Sequence, residues 1–215
     1  MIYRKYQMRI AIFIQARYNS KRLPGKVCLK ISKKEILLHV YEKCKKSLIK
    51  NIIVLTSKNK SDDKIVNLCS KNNIKYFRGD LYNVYRRYAQ AIKKFKLDYF
   101  VRVTADSPLI DYRLINIAIK KLKKNKKDII TNVFPRTYPI GQSIEIINCK
   151  TFLKNLNFTN KIEKEHITKY FYKNHKKFSI LNFKNKKNMS KENLSVNTIK
   201  DFKKIKKFIE ENEKI

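Results

Sequence analysis

The stretch Ile10-Ala11-Ile12-Phe13-Ile14-Gln15 runs directly into Ala16-Arg17-Tyr18-Asn19-Ser20-Lys21-Arg22-Leu23-Pro24-Gly25-Lys26. The first part is an apolar run rich in β-branched and aromatic side chains. It has no polar face, so it reads as a strand buried on both sides. The second part is a polar loop that closes on a Pro-Gly pair, which shapes a turn. A buried strand emptying into a cationic loop predicts an open α/β sheet. In such sheets ligands bind beyond the carboxyl ends of the strands.

Outward from this unit, short apolar runs alternate with amphipathic stretches. Residues 36–47 have helical spacing through Ile36, Leu37, Val40 and Cys44, and residues 51–56 form a second buried strand. Ser61 or Asp62 is expected to cap a helix carrying Ile65, Val66, Leu68 and Cys69. A brief strand over 75–77, a helix over 82–95, a strand over 99–104 and a helix over 112–122 follow. After Asp128 the pattern is less regular: strands over 128–131 and 142–147, a helix over 162–174, an alternating stretch over 178–183 and a closing helix over 199–212. Strands alternating with helix-length crossovers predict a mostly parallel sheet covered on both faces. No repeat or linker interrupts the chain, so residues 1–215 are expected to be one α/β domain. Residues 1–8 are a candidate disordered N-terminal extension, and Met8 is an alternative start.

Composition narrows the function. A hydrophobic fraction of 43% excludes disorder over most of the length, and 3 Gly with 4 Pro exclude collagen-like and linker-rich classes. No apolar run reaches the roughly 18 residues of a membrane span. No leader segment is visible, so the expected compartment is the cytoplasm, with no membrane partner. Lys+Arg is 52 against Asp+Glu 17, a formal +35. That balance first suggests a nucleic-acid binder. Arg supplies only 10 of the 52, however, and Lys is spread from end to end together with abundant Ile and Asn. This is the composition an AT-rich coding sequence imposes, so no specific nucleic-acid partner is expected. A positive field still favours anionic ligands such as nucleotides. Cys28, Cys44, Cys69 and Cys149 are scattered without zinc spacing and read as free, mostly buried thiols.

Five constellations carry chemistry. The first loop places Arg17, Lys21, Arg22 and Lys26 around backbone amides, a set suited to a polyphosphate: Arg grips oxygens in a fork and Lys supplies a point charge. Without spaced glycines it is not a P-loop. The second, Thr104-Ala105-Asp106-Ser107-Pro108-Leu109-Ile110-Asp111, puts Asp106 at a strand end, where it is placed to hold Mg²⁺ bridging phosphates. Asp111 reads as a helix cap. The third is Arg78-Gly79-Asp80 with Asn83 and Arg87. Arg78 and Arg87 could face a ligand, and Arg87 could equally pair with a helix carboxylate. The fourth is Arg136-Thr137-Tyr138-Pro139 with Gly141 and Glu145. The fifth is Glu165-His166-Ile167-Thr168-x-Tyr170, whose histidine, taken by its spacing alone, reads as structural.

In this order the five elements resemble the cytidylyltransferases of the spore-coat-polysaccharide SpsF type. Those enzymes are relatives of the synthetases that make CMP-activated acidic sugars, CMP-Kdo and CMP-sialic acid. The first loop resembles the family signature I-I-Q-A-R-x-x-S-x-R-L-P-G-K, and the resemblance runs from about Ile10 to Phe208. It implies a Rossmann-like three-layer nucleotidyltransferase fold of the GT-A kind, with a mixed, mostly parallel sheet. It implies a CTP-dependent enzyme that makes a CMP-activated sugar for a surface polysaccharide or glycan and releases pyrophosphate, with Mg²⁺ as cofactor. The partners it implies are CTP, a small-molecule sugar acceptor and, as in the sialic-acid relatives, a second copy of the chain.

By the same resemblance, the nucleotide falls to Gln15, Ala16, Arg17, Ser20, Arg22, Gly25, Lys26, Arg78, Gly79 and Ala105. Arg17, Lys26 and Asp106 are the expected catalytic set. Arg136, Glu145 and His166 would face the acceptor, with Glu145 or His166 orienting or deprotonating it. The metal ligands implied are Asp106 and Asn197. Two departures stand out. The family's Pro-Asp-Gly-x-Asp-x-Glu is Pro139-Ile140-Gly141-Gln142-Ser143-Ile144-Glu145, and its Val-Asp-Thr is Val196-Asn197-Thr198. Loss of charge at Ser143 and Asn197 makes a catalytically weakened homologue that binds a nucleotide or nucleotide-sugar the rival reading.

Overall fold

The computed structural model describes residues 8–212. Apart from Met8, the N-terminal extension expected over 1–8 lies outside the described residues. Seven strands form the main sheet: β1 (Ile10–Gln15), β4 (Ile52–Ser57), β5 (Tyr76–Gly79), β6 (Tyr99–Thr104), β7 (Ile129–Thr131), β8 (Glu145–Asn148) and β9 (Ile180–Asn182). Their order is β5-β4-β1-β6-β8-β7-β9. β1 pairs in parallel with β4 and β6, and β4 with β5. β8 runs antiparallel between β6 and β7, and β9 returns parallel to β7. The sheet is therefore mixed and mostly parallel, with β8 as its reversed strand. A two-stranded hairpin, β2 (Lys30–Ile31) with β3 (Lys34–Glu35), lies apart from it.

Both faces of the sheet are covered, which explains the apolar run of β1: Ala11 to Ile14 are fully buried. Ile12 and Ile14 point into one core with α1 (Ile36–Lys45), α2 (Asp63–Lys71) and α4 (Tyr112–Lys124), through Leu37, Val40, Ile65, Ile115 and Leu122. Ala11 and Phe13 point into the other with α3 (Val84–Phe95), α5 (Cys149–Lys154) and α7 (Lys169–Lys173). That second core is aromatic: Phe13 stacks on Phe100 at 5.5 Å, and Tyr85 stacks on Phe152 at 3.8 Å. The closing helix α8 (Ile199–Asn212) seats Ile205 and Ile209 against Ile31, Ile36 and Val196. The four cysteines are free, and three are buried. Burial pushes the Cys44 and Cys69 thiols up to about 12.

Two local expectations are corrected. The helix expected over 162–174 is two short ones, α6 (Lys161–Glu165) and α7, separated at His166–Thr168. Asp62 precedes α2 but its side chain does not cap it. Instead, Asp62 Oδ1 accepts from the Tyr18 amide and Oδ2 from the Ser57 amide, at 2.7 and 2.9 Å. Asp62 thus ties the first loop to the end of β4. Asp111 does cap its helix, accepting from the Arg113 amide at 2.9 Å.

Candidate active site

The loop after β1 is held by its own glycine. Gly25 is left-handed at φ 71°, and its amide donates to the Tyr18 carbonyl at 2.7 Å. A Cβ there would meet the Tyr18 ring at 3.0 Å, so the turn needs glycine on both counts. The turn presses Lys26 inward until it is 8% exposed. Its ammonium donates to three oxygens: Asp106 Oδ2 at 2.5 Å, the Val196 carbonyl at 2.8 Å and Asn197 Oδ1 at 3.1 Å. Arg22 donates to the same Asn197 Oδ1 at 2.9 Å.

A cavity of about 410 Å³ opens beside this knot, beyond the ends of β1 and β6. Among the expected residues, Gln15, Arg17, Ser20, Arg22, Lys26, Asp106, His166 and Asn197 line it. The set converges from the first loop, the β6 end, the α6–α7 break and the segment before α8. Arg17 bonds Glu165 at 3.1 Å across the mouth. The cations outnumber the carboxylates. Lys26 and Arg17 have acidic partners, whereas Arg22 bonds an amide oxygen and Arg87 bonds the carbonyls of Asp80 and Leu81. Burial lowers the Arg87 pKa, and an arginine stays charged regardless. Such surplus positive charge at the carboxyl ends of a sheet suits a polyphosphate.

Other expected residues lie elsewhere. Ala16 and Ala105 are buried, and their amides donate to the Leu55 and Gln15 carbonyls. Gly25 shapes the loop without lining the cavity. Arg78 turns away, donating to the Ser57 and Asn59 carbonyls and pairing with Asp63 at 2.7 Å. Gly79 leaves room for Arg87, whose Cγ would lie 2.6 Å from an added Cβ. Arg136 bonds the Ser143 hydroxyl at 3.0 Å. Glu145 is buried, with Arg102 on one oxygen and Tyr172 on the other, each at 2.6 Å.

Lys21, Arg87 and Thr104, each within a constellation read from sequence, also line the cavity, and Arg102, Val27 and Val84 line it without having been singled out. The signal for Arg102 was its alternation: in β6, Tyr99, Val101 and Val103 face one core, so Phe100, Arg102 and Thr104 face the other, where a charged side chain needs a reason. Burial works against the Arg102 charge, but Glu145 and Tyr88 raise its pKa above the ordinary arginine value. Burial and then the Glu145 charge push Tyr172 well above its usual value, so it is a neutral donor.

The metal expectation can be weighed on the donor set. Asp106, Asn197 and the Val196 carbonyl offer one carboxylate and two neutral oxygens, the donor types a hard cation takes, and all three converge on the Lys26 ammonium. Among the described residues there is no cluster of three or more His, Cys, Asp or Glu that could hold a metal. The residues fit a divalent ion that takes its remaining ligands from phosphates and water.

A model of the cytidylyltransferase family matches residues 11–215. The chain is 27% identical over 174 residues to the spore coat polysaccharide biosynthesis protein SpsF of Bacillus subtilis (strain 168), covering 77% of this chain and 70% of that protein. Among solved structures, a cytidylyltransferase from Leptospira borgpetersenii serovar Hardjo-bovis (strain JB197) superposes with a TM-score of 0.90 at 34% identity, over 93% of this chain and 86% of the other. A CMP:2-keto-3-deoxy-manno-octonic acid synthetase complexed with CTP shares the fold, with a TM-score of 0.72 at 17% identity over 95% and 99% of the two chains.

Proposed function

The chain belongs to the cytidylyltransferase family, and from that premise we propose that it transfers CMP from CTP to a sugar destined for a surface polysaccharide or glycan, releasing pyrophosphate. The observation that carries this reading is the Lys26–Asp106–Asn197 knot at the edge of a cavity rich in cations. Arg17, Arg22 and Lys26 hold the triphosphate, and Arg87 adds charge from the cavity wall. A sugar oxygen attacks the α-phosphorus in line, so the protein's work is to position the reactants and neutralise charge. Mg²⁺, held by Asp106 and Asn197, would stabilise charge building on the phosphates. His166, an exposed side chain that lines the cavity, orients or deprotonates the acceptor.

Two family members are 27% and 34% identical to this chain, and the polysaccharide role belongs to the first by its name. No helix among the described residues is long and apolar enough to cross a membrane. A cytoplasmic homodimer completes the reading. The test is thermal shift with CTP, UTP, ATP and GTP, with and without Mg²⁺, followed by pyrophosphate release with sugar acids. Selective stabilisation by CTP with Mg²⁺ is the expected result; an equal response to all four nucleotides, lost at modest salt, would reflect bulk charge and sink the proposal.

A second reading, a homologue that binds the nucleotide but turns over weakly, draws on one observation: the amide of Asn197 stands where a second carboxylate would lie beside Asp106. Tight CTP binding without pyrophosphate release on any sugar acid would favour it.

A further inference from the structure

We infer that Arg102 grips the acidic group of the sugar acceptor, and that Glu145 and Tyr172 act through it as positioning residues. The inference rests on the proposed CMP-sugar chemistry and names the residue that reads the second substrate. Arg102 lies two residues before the end of β6 and lines the cavity with 19% of its side chain exposed. Two of its five N–H donors are engaged: one from Nη1 on Glu145 Oε2 at 2.6 Å and the one from Nε on Gln15 Oε1 at 3.4 Å. Nη2 has no hydrogen-bond partner among the described residues. A guanidinium at a cavity wall with one nitrogen unspent is a directional donor for an oxygen-rich ligand.

Glu145 cannot take that part. Its side chain is 3% exposed and both oxygens are engaged, the second by Tyr172 Oη at 2.6 Å. Tyr172 is braced in turn by Thr131 Oγ1 at 3.0 Å. The series Thr131–Tyr172–Glu145–Arg102 therefore fixes the fork from behind. On the near side, Gln15 Oε1 accepts from both Arg102 and Tyr88.

Topology assigns the fork to the acceptor. The phosphates belong at Lys26 and Asp106. The three strands β5-β4-β1 are parallel and form the nucleotide-binding half, from which the cationic loop leaves. Arg102 faces Glu145 across the β6–β8 pair, where the sheet reverses and the second half begins. Glu145 already balances its charge, so Arg102 adds little to the field felt by the triphosphate. What it adds is geometry, which suits a carboxylate.

The test separates the two substrates. Arg102→Lys keeps a cation for Glu145 and removes the planar fork. CTP affinity is measured by calorimetry, and pyrophosphate release is followed against 3-deoxy-manno-octulosonate and N-acetylneuraminate. The expected result is an acceptor KM raised about tenfold or more with CTP affinity unchanged. Tyr172→Phe should raise the same KM by less and leave kcat in place, a split that a purely structural role would not produce. If Arg102→Lys fails to fold, replacing Arg102 and Glu145 together by Met removes both buried charges, and the same KM shift is expected. A weakened CTP affinity with acceptor KM unmoved overturns the inference while the proposed function stands. Wild-type protein that binds CTP but neither binds nor converts either sugar acid also overturns the inference, whereas failure to bind CTP selectively overturns the proposed function.

Discussion

At position 197 an amide stands beside Asp106 and two cations, Lys26 and Arg22. A carboxylate in its place would double the negative charge available to a divalent ion, and ligand charge sets much of the affinity of oxygen sites. Asn197→Asp is therefore expected to tighten Mn²⁺ binding by about tenfold, read by titration, and to raise the rate of pyrophosphate release. An unchanged rate would mean that phosphates and water complete the site as it stands. Lys26 is the opposite case. Lys26→Met strands the half-buried Asp106 without its ammonium and removes a triphosphate contact. The expected outcome is loss of CTP-induced stabilisation in a thermal shift. These roles were partly legible from sequence. The loop cations and Asp106 announced themselves by following buried strands, but the ring of oxygens around Lys26 joins residues 170 positions apart, and no local pattern carries that. Arg102 was hidden because one charge within Tyr99–Thr104 did not disturb an otherwise apolar strand.

Elements position these side chains through a few local contacts. Thr198 and Asp201 form a reciprocal cap at the start of α8: the Asp201 amide donates to Thr198 Oγ1, and Asp201 Oδ2 accepts from the Thr198 and Asn197 amides. Partial burial raises the Asp201 pKa, but the bonds from Thr198, Asn197 and Asn193 outweigh it and hold the carboxyl below its ordinary value. A carboxyl with a depressed folded pKa stabilises above its unfolded pKa, about 4. That stability is lost as pH falls through the lower, folded value. Asp201→Ala should cost about 1 kcal/mol at neutral pH, and the deficit should shrink in acid, as urea melts at several pH values would register. Gly79→Ala drives a Cβ against Arg87, with Cγ at 2.6 Å and Cα at 3.1 Å. It should destabilise by about 1–3 kcal/mol in the same melts. The first half of the sheet was readable because each strand is a clear apolar run followed by an amphipathic helix. The second half was not: β7, β8 and β9 have three or four residues each, too few for a pattern to give direction; family resemblance implied a mixed sheet without saying that β8 is the strand that reverses. The hairpin β2–β3 has two residues per strand, below what alternation can signal.

On the scale of the whole molecule, a formal +35 is spread over the surface and attracts any polyanion. Binding to arbitrary duplex DNA should therefore be weak and fall steeply between 50 and about 200 mM salt. CTP binding should decline far less, because its contacts converge in one partly enclosed cavity; parallel titrations by fluorescence anisotropy and calorimetry would compare the two. The same charge opposes self-association, so a homodimer must bury its contact well, and light scattering across a salt series should show the dimer strengthening as salt rises. The cavity's walls also differ in how firmly they are built. On one side stand β1 and β6, sealed at 0% exposure from Ala11 to Ile14 and at Phe100 and Val101. On the other stand α6 and α7, five residues each and parted at His166–Thr168. Helices this short have little cooperativity of their own, so this wall is expected to open before β1 does, although Ile167 and Phe171 anchor it in the aromatic core. Deuterium should enter the amides of residues 161–173 long before those of β1, and CTP seated against Arg17, the partner of Glu165, should slow that entry.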